Sequence, residues 1–312
     1  MWQILSFRGC TQGYLMTFLK PWFPSSRVGK MRRLELSSDI AIEMYDSRSY
    51  GNRVIRESIG AMFDIARELK GKVVLVGGWG VYYWVDNFLG YRGVPSIDID
   101  FLAKAESFDE IREVMENLGF QSAGFRFVKP VEDFIVREEV KVDFLFDERP
   151  SGLSFDTPFA SPLFANRYHS RVHFAVNDFE GTPIADGKLD VAFPEAILAL
   201  KFDIYTNITD YPDDKRAKHW KDVVDVYSLV MGFYRRRDRW RGEGFYLRRD
   251  VLRELYRVKA YRPTAIYRVL EDSPYKNDIQ AIISNYVGFG VFEERLFQRR
   301  LRELEEIASA GL

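Results

Sequence analysis

The sequence predicts a mixed α/β (α+β) domain followed by a helical domain. Three observations support this fold class. Short β-branched and apolar runs, typical of strands, alternate with segments of helical spacing over the first part of the chain. After Pro194 the apolar residues keep helical spacing only, and proline is common at the first position of a helix. The 312 residues are enough for two domains and a large core.

The elements follow from these patterns in chain order. Before Pro194 we predict helices at 52–69, 81–89 and 108–118. Glycine at position 119 ends the third of them. We predict strands at 73–76, 97–102, 124–128, 134–136, 140–146, 172–176 and 189–193. Beyond the proline we predict helices at 194–202, 217–231, 249–258, 279–286 and 293–308.

The domain boundaries are placed where the spacing of apolar residues along the sequence changes. Residues 31–193 are predicted to form the α/β domain and residues 194–312 the helical domain. Residues 1–30 are rich in aromatic side chains but lack periodicity, and they do not resemble a secretory signal. Met31 opens a more regular segment, so we favour it as the native start, with a docking arm as the alternative for residues 1–30.

Composition limits the classes of function. Hydrophobic residues make up 46% of the chain and charged residues 29%, which is typical of a globular protein. The formal net charge of -1 gives no overall attraction to nucleic acid, so a polyanion site must be local. Cys10 is the only cysteine, which excludes an internal disulfide framework and favours a cytoplasmic location. No apolar run could span a bilayer, so we expect no membrane partner.

A double glycine follows the first predicted strand. Gly77 and Gly78 have no Cβ, so the backbone at these positions can come close to a ligand. A strand, a glycine turn and a helix N-terminus together favour phosphate, because unpaired N–H groups point towards it. A tight turn without a ligand is the alternative.

Three acidic residues lie in segments that otherwise resemble buried strands. Asp98 and Asp100 are two apart, so both side chains point to the same face of their strand. Asp143 lies in a second alternating run that could pair beside the first. Three carboxylates on one face repel one another unless cations are present. The pattern predicts a Mg²⁺ site with two ions that also accepts substrate phosphates, and a solvent-facing row of acids is the alternative.

These motifs resemble the polymerase-β-like nucleotidyltransferases, and within that superfamily they most resemble the AbiEii family of type IV toxins. The family combines a glycine-containing motif and Asp-x-Asp with Lys-x-Asp, a helical lysine, a Lys-Asp pair and a final acid. The likeness covers about residues 73–227. The matching residues are, in order, Asp98-Ile99-Asp100, Lys141-Val142-Asp143, Lys201, Lys221-Asp222 and Asp225.

The resemblance implies a nucleotidyltransferase fold and a Mg²⁺-dependent transfer of NMP from an NTP to an acceptor hydroxyl on tRNA or protein. Asp98, Asp100 and Asp143 would be the catalytic and metal-binding residues, with Asp143 also assisting deprotonation of the acceptor. A toxin-like role and a possible cognate antitoxin come from the same resemblance.

The resemblance also implies a nucleotide-binding set. Gly77 and Gly78 would approach the phosphates. Lys201 would be the main cationic partner of the triphosphate, Lys221 a second one, and Asp225 would orient either lysine. The alternatives are a solvated helix face for each lysine and a structural ion pair for Asp225.

The sequence departs from the family after the double glycine. Trp79 stands where the family usually has serine or threonine, which removes a hydroxyl from the turn. This departure favours a catalytically silent nucleotide-binding or interaction module as an alternative. A small-molecule nucleotidyltransferase of the aminoglycoside type is a further alternative. The basic stretch at 235–241 is either an RNA contact or a solvated connector.

Overall fold

The computed structural model describes residues 53–123, 126–131, 138–151, 167–178, 181–207, 216–236, 247–272 and 276–310. Residues 1–30 and the strand predicted at 134–136 lie outside these ranges, as do residues 237–246 of the basic region.

One mixed sheet organises the first part of the described chain. Seven strands lie in the order β3-β4-β5-β2-β1-β7-β6. The pairs β2–β5 and β1–β7 are parallel, and the other pairs are antiparallel. The strands are β1 (Val73–Leu75), β2 (Asp98–Ala103), β3 (Gln121–Ala123), β4 (Arg126–Val131), β5 (Glu138–Phe146), β6 (His169–Asn177) and β7 (Pro183–Ala192).

Helices pack against this sheet, and the elements described from Pro194 onwards are all helices. Within the described ranges three precede Pro194: α1 (Arg53–Glu68), α2 (Gly77–Tyr82) and α3 (Phe108–Asn117). The later ones are α4 (Pro194–Asn207), α5 (Arg216–Arg236), α6 (Arg249–Val258), α7 (Ala265–Asp272), α8 (Lys276–Ala281) and α9 (Glu294–Ser309). The mixed sheet followed by helices confirms the predicted fold class. No helix in the described ranges is long and apolar enough to cross a membrane.

The sheet and the later helices share one buried core. Its hydrophobic cluster extends from Val54 in α1 to Ala308 in α9. Trp84, just after α2, donates its indole N–H to the carbonyl of Ala192 at 2.7 Å, and its ring lies 6.1 Å from that of Phe233 in α5. Pro194 therefore marks a change of secondary structure, and the division into two domains there stays a prediction.

The double glycine belongs to a helix, which corrects the predicted helix start at residue 81. Of the two glycines, Gly77 takes a left-handed backbone, with φ of +59°, and Gly78 does not; α2 begins at Gly77. The helix continues as a π-helix over Tyr83–Phe88. Burial of Trp79 and Tyr82 stabilises this first turn despite the low helix propensity of glycine.

Three other elements differ from the prediction. Strand β4 continues through Pro130 to Val131. Among the described residues β3 pairs with the first half of β4 only, so the proline, which has no backbone N–H, does not interrupt that pairing. Strand β3 was not predicted, since it is only three residues long, and helix α7 was not predicted although its apolar residues have helical spacing.

Candidate functional site

The three predicted acids lie together on the sheet. Asp100 of β2 and Asp143 of β5 are register partners in the parallel pair, and Asp98 is two residues before Asp100 on the same face. Asp98, Asp100 and Asp143 are called the acidic row below. The opposite face of the same strands is apolar, with Ile99 and Val142 fully buried. The alternation of each strand therefore separates a core face from a polar face that carries the acids.

The glycine turn lies against this acidic row. The backbone N–H of Val76 donates to the carbonyl of Asp100 at 2.9 Å, which joins the end of β1 to β2. A Cβ built on Gly77 would lie 1.9 Å from Oδ2 of Asp100, a distance that no side chain can occupy. Both this close approach and the left-handed φ require glycine at this position.

A lysine ammonium group and a serine hydroxyl both lie close to Gly78. A Cβ built on Gly78 would lie 2.6 Å from Nζ of Lys221 in α5 and 2.6 Å from Oγ of Ser96. Ser96 was not singled out in the sequence, although its place just before the acidic pair is a usable signal. Ser96 places a hydroxyl near the turn, whereas Trp79 has none.

Trp79 points into the core. Its side chain is fully buried, and its ring lies 5.4 Å from that of Tyr82. The large side chain after the double glycine therefore packs within the protein and does not fill the space beside the acidic row.

A second charged group lies between α4 and α5. Lys201 contacts both Asp222 and Asp225, with 2.9 Å from its Nζ to Oδ2 of Asp225. Asp225 also accepts from Lys221 at 3.2 Å, and Tyr205 donates its hydroxyl to Asp222. We call these five residues the lysine–aspartate cluster.

Burial distinguishes the two lysines of this cluster. The side chain of Lys201 is 9% exposed, whereas that of Lys221 is 23% exposed and reaches Gly78. Burial alone lowers the pKa of Lys201, but the charges of Asp222 and Asp225 outweigh it and raise that pKa above its ordinary value. Lys201 is thus a permanently charged, internally paired group, and Lys221 is the cation placed at the turn.

An arginine that was not singled out in the sequence pairs with one acid of the row. Arg126 of β4 is the register partner of Asp143, and its guanidinium donates to both carboxylate oxygens at 2.6 Å each. These hydrogen bonds, with the charges of Asp98 and Asp100, raise the pKa of Arg126 above its ordinary value. An Arg two strands away from an acid pair has no local sequence signal, so the motifs do not predict it.

The acidic row offers carboxylate oxygens as donors for a metal ion. No group of three or more acidic, histidine or cysteine residues in the described ranges is arranged to hold a metal by itself. Asp98 and Asp100 supply two hard oxygen donors on one face, and Mg²⁺ is usually held by one or two carboxylates with substrate phosphates. The predicted metal site at the three acids, and its two ions, stay predictions.

The start of the basic stretch is held by the helical part of the protein. Arg235 donates to the carbonyl of Phe289 and to Glu293, at 2.6 Å in each case. The remainder of the stretch, residues 237–241, lies outside the described ranges, so its two interpretations stay open.

Comparisons with known proteins add little to this geometry. No protein-family model matches the chain, and no curated protein matches it. Among solved structures it is similar to an antigenic nucleotidyltransferase-like protein from Paracoccidioides brasiliensis, with a TM-score of 0.39 and 13% identity over 72% of this chain and 93% of that one. At that TM-score the likeness carries no functional conclusion, so a function has to be supported by the site itself.

Proposed function

We propose that this protein is a nucleotidyltransferase that moves NMP from an NTP to an acceptor hydroxyl and releases pyrophosphate. The observation that supports this most is the meeting of a glycine turn, an acid pair and a lysine at one place. Gly77 lies against Asp100, and Gly78 lies against Lys221. Segments that are far apart in sequence thus supply a close-approach backbone, hard oxygen donors and a cation, which are the parts that a nucleoside triphosphate requires.

The chemistry assigned to the site is an in-line phosphoryl substitution. The acceptor hydroxyl would give its proton to a carboxylate of the acidic row, its oxygen would bond to the α-phosphorus, and the bond from that phosphorus to the bridging oxygen of pyrophosphate would break, so that pyrophosphate leaves with that electron pair. Mg²⁺, if bound there, would supply charge neutralisation and would lower the pKa of the acceptor hydroxyl. Asp98 and Asp100 are the residues that would hold it.

The other residues position the triphosphate. Lys221 offers a point charge beside the glycine turn, in the way that lysine commonly binds phosphate. Ser96 offers a hydroxyl donor at the same turn. Asp225 holds both Lys201 and Lys221, so Lys201 acts through this contact rather than on the phosphates directly.

The resemblance to the AbiEii family adds a finer proposal. By that likeness the acceptor is tRNA or a protein hydroxyl, the protein acts as a toxin in the cytoplasm, and a cognate antitoxin is its partner. Growth of cells that express the wild type, compared with cells that express Asp100→Asn at equal levels, tests this role. Growth arrest by the wild type alone supports a toxin, and equal growth contradicts it.

The direct test is label transfer from each α-labelled NTP in the presence of Mg²⁺. Total tRNA, cell protein, an aminoglycoside and no acceptor are compared, with γ-labelled NTP and Asp98→Ala as controls. Labelled product from the α-label alone, lost in Asp98→Ala, is the expected result and identifies the acceptor class. Transfer of the γ-label would indicate a kinase and contradict the proposal.

A catalytically silent nucleotide-binding module is the second candidate. The pairing of Asp143 with Arg126 favours it, because one predicted catalytic acid is already engaged within the protein. Mg²⁺-dependent NTP binding by calorimetry, without label transfer to any acceptor, is the result that this candidate predicts.

A further inference from the structure

A cavity of about 670 Å³ is lined by residues outside both the acidic row and the lysine–aspartate cluster. Its walls are the segments 89–92 and 285–288, together with Arg235 near the end of α5. Each of the two segments lies at the end of a π-helix, one at Tyr83–Phe88 and one at Ile282–Tyr286, and π-helical turns are frequent at functional sites. The volume is in the range of small-molecule binding sites.

Two arginines and an amide give this cavity a cationic, hydrogen-bonding lining. Arg92, Arg235 and Asn285 all belong to it, and none of the described residues that line the cavity is acidic. The whole chain has a formal net charge of -1, so this lining differs from the average of the protein. Because guanidinium groups bind phosphate through several N–H donors at once, the lining suits a phosphate-bearing ligand.

Contacts outside the cavity hold Arg235 in place. It donates to the carbonyl of Phe289 and to Glu293, at 2.6 Å in each case, and its guanidinium lies 5.1 Å from the centre of the Phe289 ring. These two hydrogen bonds use two of the five N–H donors of a guanidinium, so the group can also donate to a ligand. Arg235 is therefore preorganised by its partners.

Arg92 is held in a similar way on another wall of the cavity. Its backbone N–H donates to the carbonyl of Val287 at 3.2 Å, and its guanidinium lies 5.3 Å from the centre of the Tyr286 ring. Asp86, which does not line the cavity, interacts electrostatically with Arg92. The site thus depends on two arginines in fixed positions, each with its own partner, and not on uncompensated charge.

Tyr91 adds a flat surface to the same lining. Its ring stacks on that of Phe289, with 4.2 Å between the centroids and 18° between the planes. Tyr91 itself is half-buried and lines the cavity. Aromatic rings and arginine planes are common platforms for nucleic-acid bases. A ligand that carries both a base and a phosphate therefore matches this lining better than a simple anion does.

We infer that this cavity binds a phosphorylated ligand of nucleotide size, as a free nucleotide or as the end of an RNA chain, at a site distinct from the glycine turn. The two sites are close along the chain, because Arg92 precedes Ser96 by four residues and their Cα atoms can be at most about 14 Å apart. The inference goes beyond the proposed function and does not depend on it, since the transfer chemistry uses none of the residues that line the cavity.

The test is calorimetric titration of the full chain with AMP in EDTA, with adenosine as the control that lacks phosphate. We expect the wild type to bind AMP at least about tenfold more tightly than adenosine. A short single-stranded RNA with a terminal phosphate is the second arm. Tighter binding of this RNA than of AMP would assign the site to an RNA end, and weaker or equal binding would assign it to a free nucleotide. Binding of neither would overturn the inference.

Asn285→Asp places a carboxylate in the cavity with little change of shape. Because Asn285 is exposed, the fold should be preserved, and repulsion of the phosphate is expected to weaken AMP binding about tenfold. Asn117→Asp, at an exposed asparagine at the end of α3, is the matched control and should stay within about twofold of the wild type. Equal affinity of Asn285→Asp and the wild type would overturn the inference.

Arg235→Gln is a second, independent variant. It is expected to weaken AMP binding about tenfold, whereas Arg302→Gln, at an exposed arginine of α9, should leave it unchanged. Arg235→Gln also loses its contact with Glu293, so thermal unfolding checks that it is folded at the temperature of the titration. If it is not, Asn285→Asp decides the question alone.

Lys221→Met distinguishes the cavity from the glycine turn. It is expected to bind AMP as the wild type does, because Lys221 does not line the cavity. Loss of AMP binding in Lys221→Met, with binding kept in Asn285→Asp, would place AMP at the turn and overturn the inference.

Transfer assays on the same preparations separate this inference from the proposed function. AMP binding that is weakened by Asn285→Asp, in a protein that transfers no NMP, would support the cavity and refute the transferase. Transfer of NMP by a protein whose AMP binding is unaffected by Asn285→Asp would refute the cavity site only.

Discussion

The acidic row and the lysine–aspartate cluster are neighbouring charged groups with different partners. In the cluster, Asp225 is 1% exposed and contacts Lys201 and Lys221, so its charge is compensated within the protein. In the row, Asp98 and Asp100 lie on a partly exposed strand face beside a glycine turn. A buried, mutually paired group stabilises structure, whereas acids beside a close-approach backbone can bind a ligand. The difference predicts that catalysis depends on the row and stability on the cluster.

The largest expected effect is on transfer in Asp100→Asn. Loss of one of the two carboxylates assigned to the metal is expected to lower the rate of NMP transfer on the order of a thousandfold. The melting temperature is expected to stay near that of the wild type, because asparagine has nearly the same size as aspartate and keeps one acceptor oxygen. Asp109→Asn, at an exposed acid paired with Arg112 on α3, is the matched control and should transfer normally. Full activity of Asp100→Asn would remove the row from the mechanism.

The next effect is on stability in Asp225→Asn. This change leaves Lys201 buried with one carboxylate fewer, and breaking such a buried pair typically costs about 3–5 kcal/mol. Urea unfolding measures the loss, and Asp64→Asn, at an exposed acid paired with Arg67, should change it by less than about 1 kcal/mol. An equally small loss in Asp225→Asn would contradict a structural role for the cluster.

The pH dependence of this stabilisation follows from the pKa of Lys201. That pKa is raised in the folded state by Asp222 and Asp225, so the contribution is complete below the ordinary lysine value and is lost only as pH rises through the folded value. Asp225→Asn is therefore expected to cost the same at about pH 6 and at about pH 8. A loss that differs between them by more than about 1 kcal/mol would show that another group titrates with it.

A smaller effect is expected in Lys221→Met. Lys221 contacts Asp225 of the lysine–aspartate cluster and also lies near Gly78 beside the acidic row. Hydrogen bonds to charged groups contribute about 1.5–3 kcal/mol, so the KM for NTP is expected to rise about tenfold to a hundredfold. Steady-state transfer measures it, with Lys70→Met as a control at an exposed lysine. An unchanged KM would assign Lys221 to the cluster alone.

The smallest effect is expected in Ser96→Ala. A single neutral hydrogen bond is worth about 1 kcal/mol, so the KM for NTP should rise about fivefold. Ser107→Ala, at another half-buried serine, is the matched control. A rise in the control as large as that in Ser96→Ala would show that the hydroxyl beside Gly78 has no specific role.

The sequence predicted the parts of the site that depend on local spacing. Asp98 and Asp100 share a face because of strand alternation, and Asp143 lies beside them because its own alternating run pairs with theirs. The predicted motif residues Gly78 and Lys221 also meet. The placement of the acids follows from strand periodicity. That of Gly78 and Lys221 follows from the order of the motifs in the family that the sequence resembles.

The parts that the sequence did not predict depend on tertiary contacts. Arg126 reaches Asp143 through strand pairing, and Ser96 reaches Gly78 through the chain that precedes β2. Neither residue has a distinctive local pattern. The weight given to Lys201 over Lys221 also came from motif order, whereas burial, which only the fold reveals, favours Lys221 at the turn.

The most direct test of this account measures NMP transfer and the free energy of unfolding in the same preparations of Asp100→Asn and Asp225→Asn. The account predicts that Asp100→Asn loses transfer and keeps its stability. It predicts that Asp225→Asn loses stability and, when assayed well below its melting temperature, retains more transfer than Asp100→Asn. The reverse pattern, with a destabilised Asp100→Asn that still transfers NMP and a stable Asp225→Asn that does not, would contradict it.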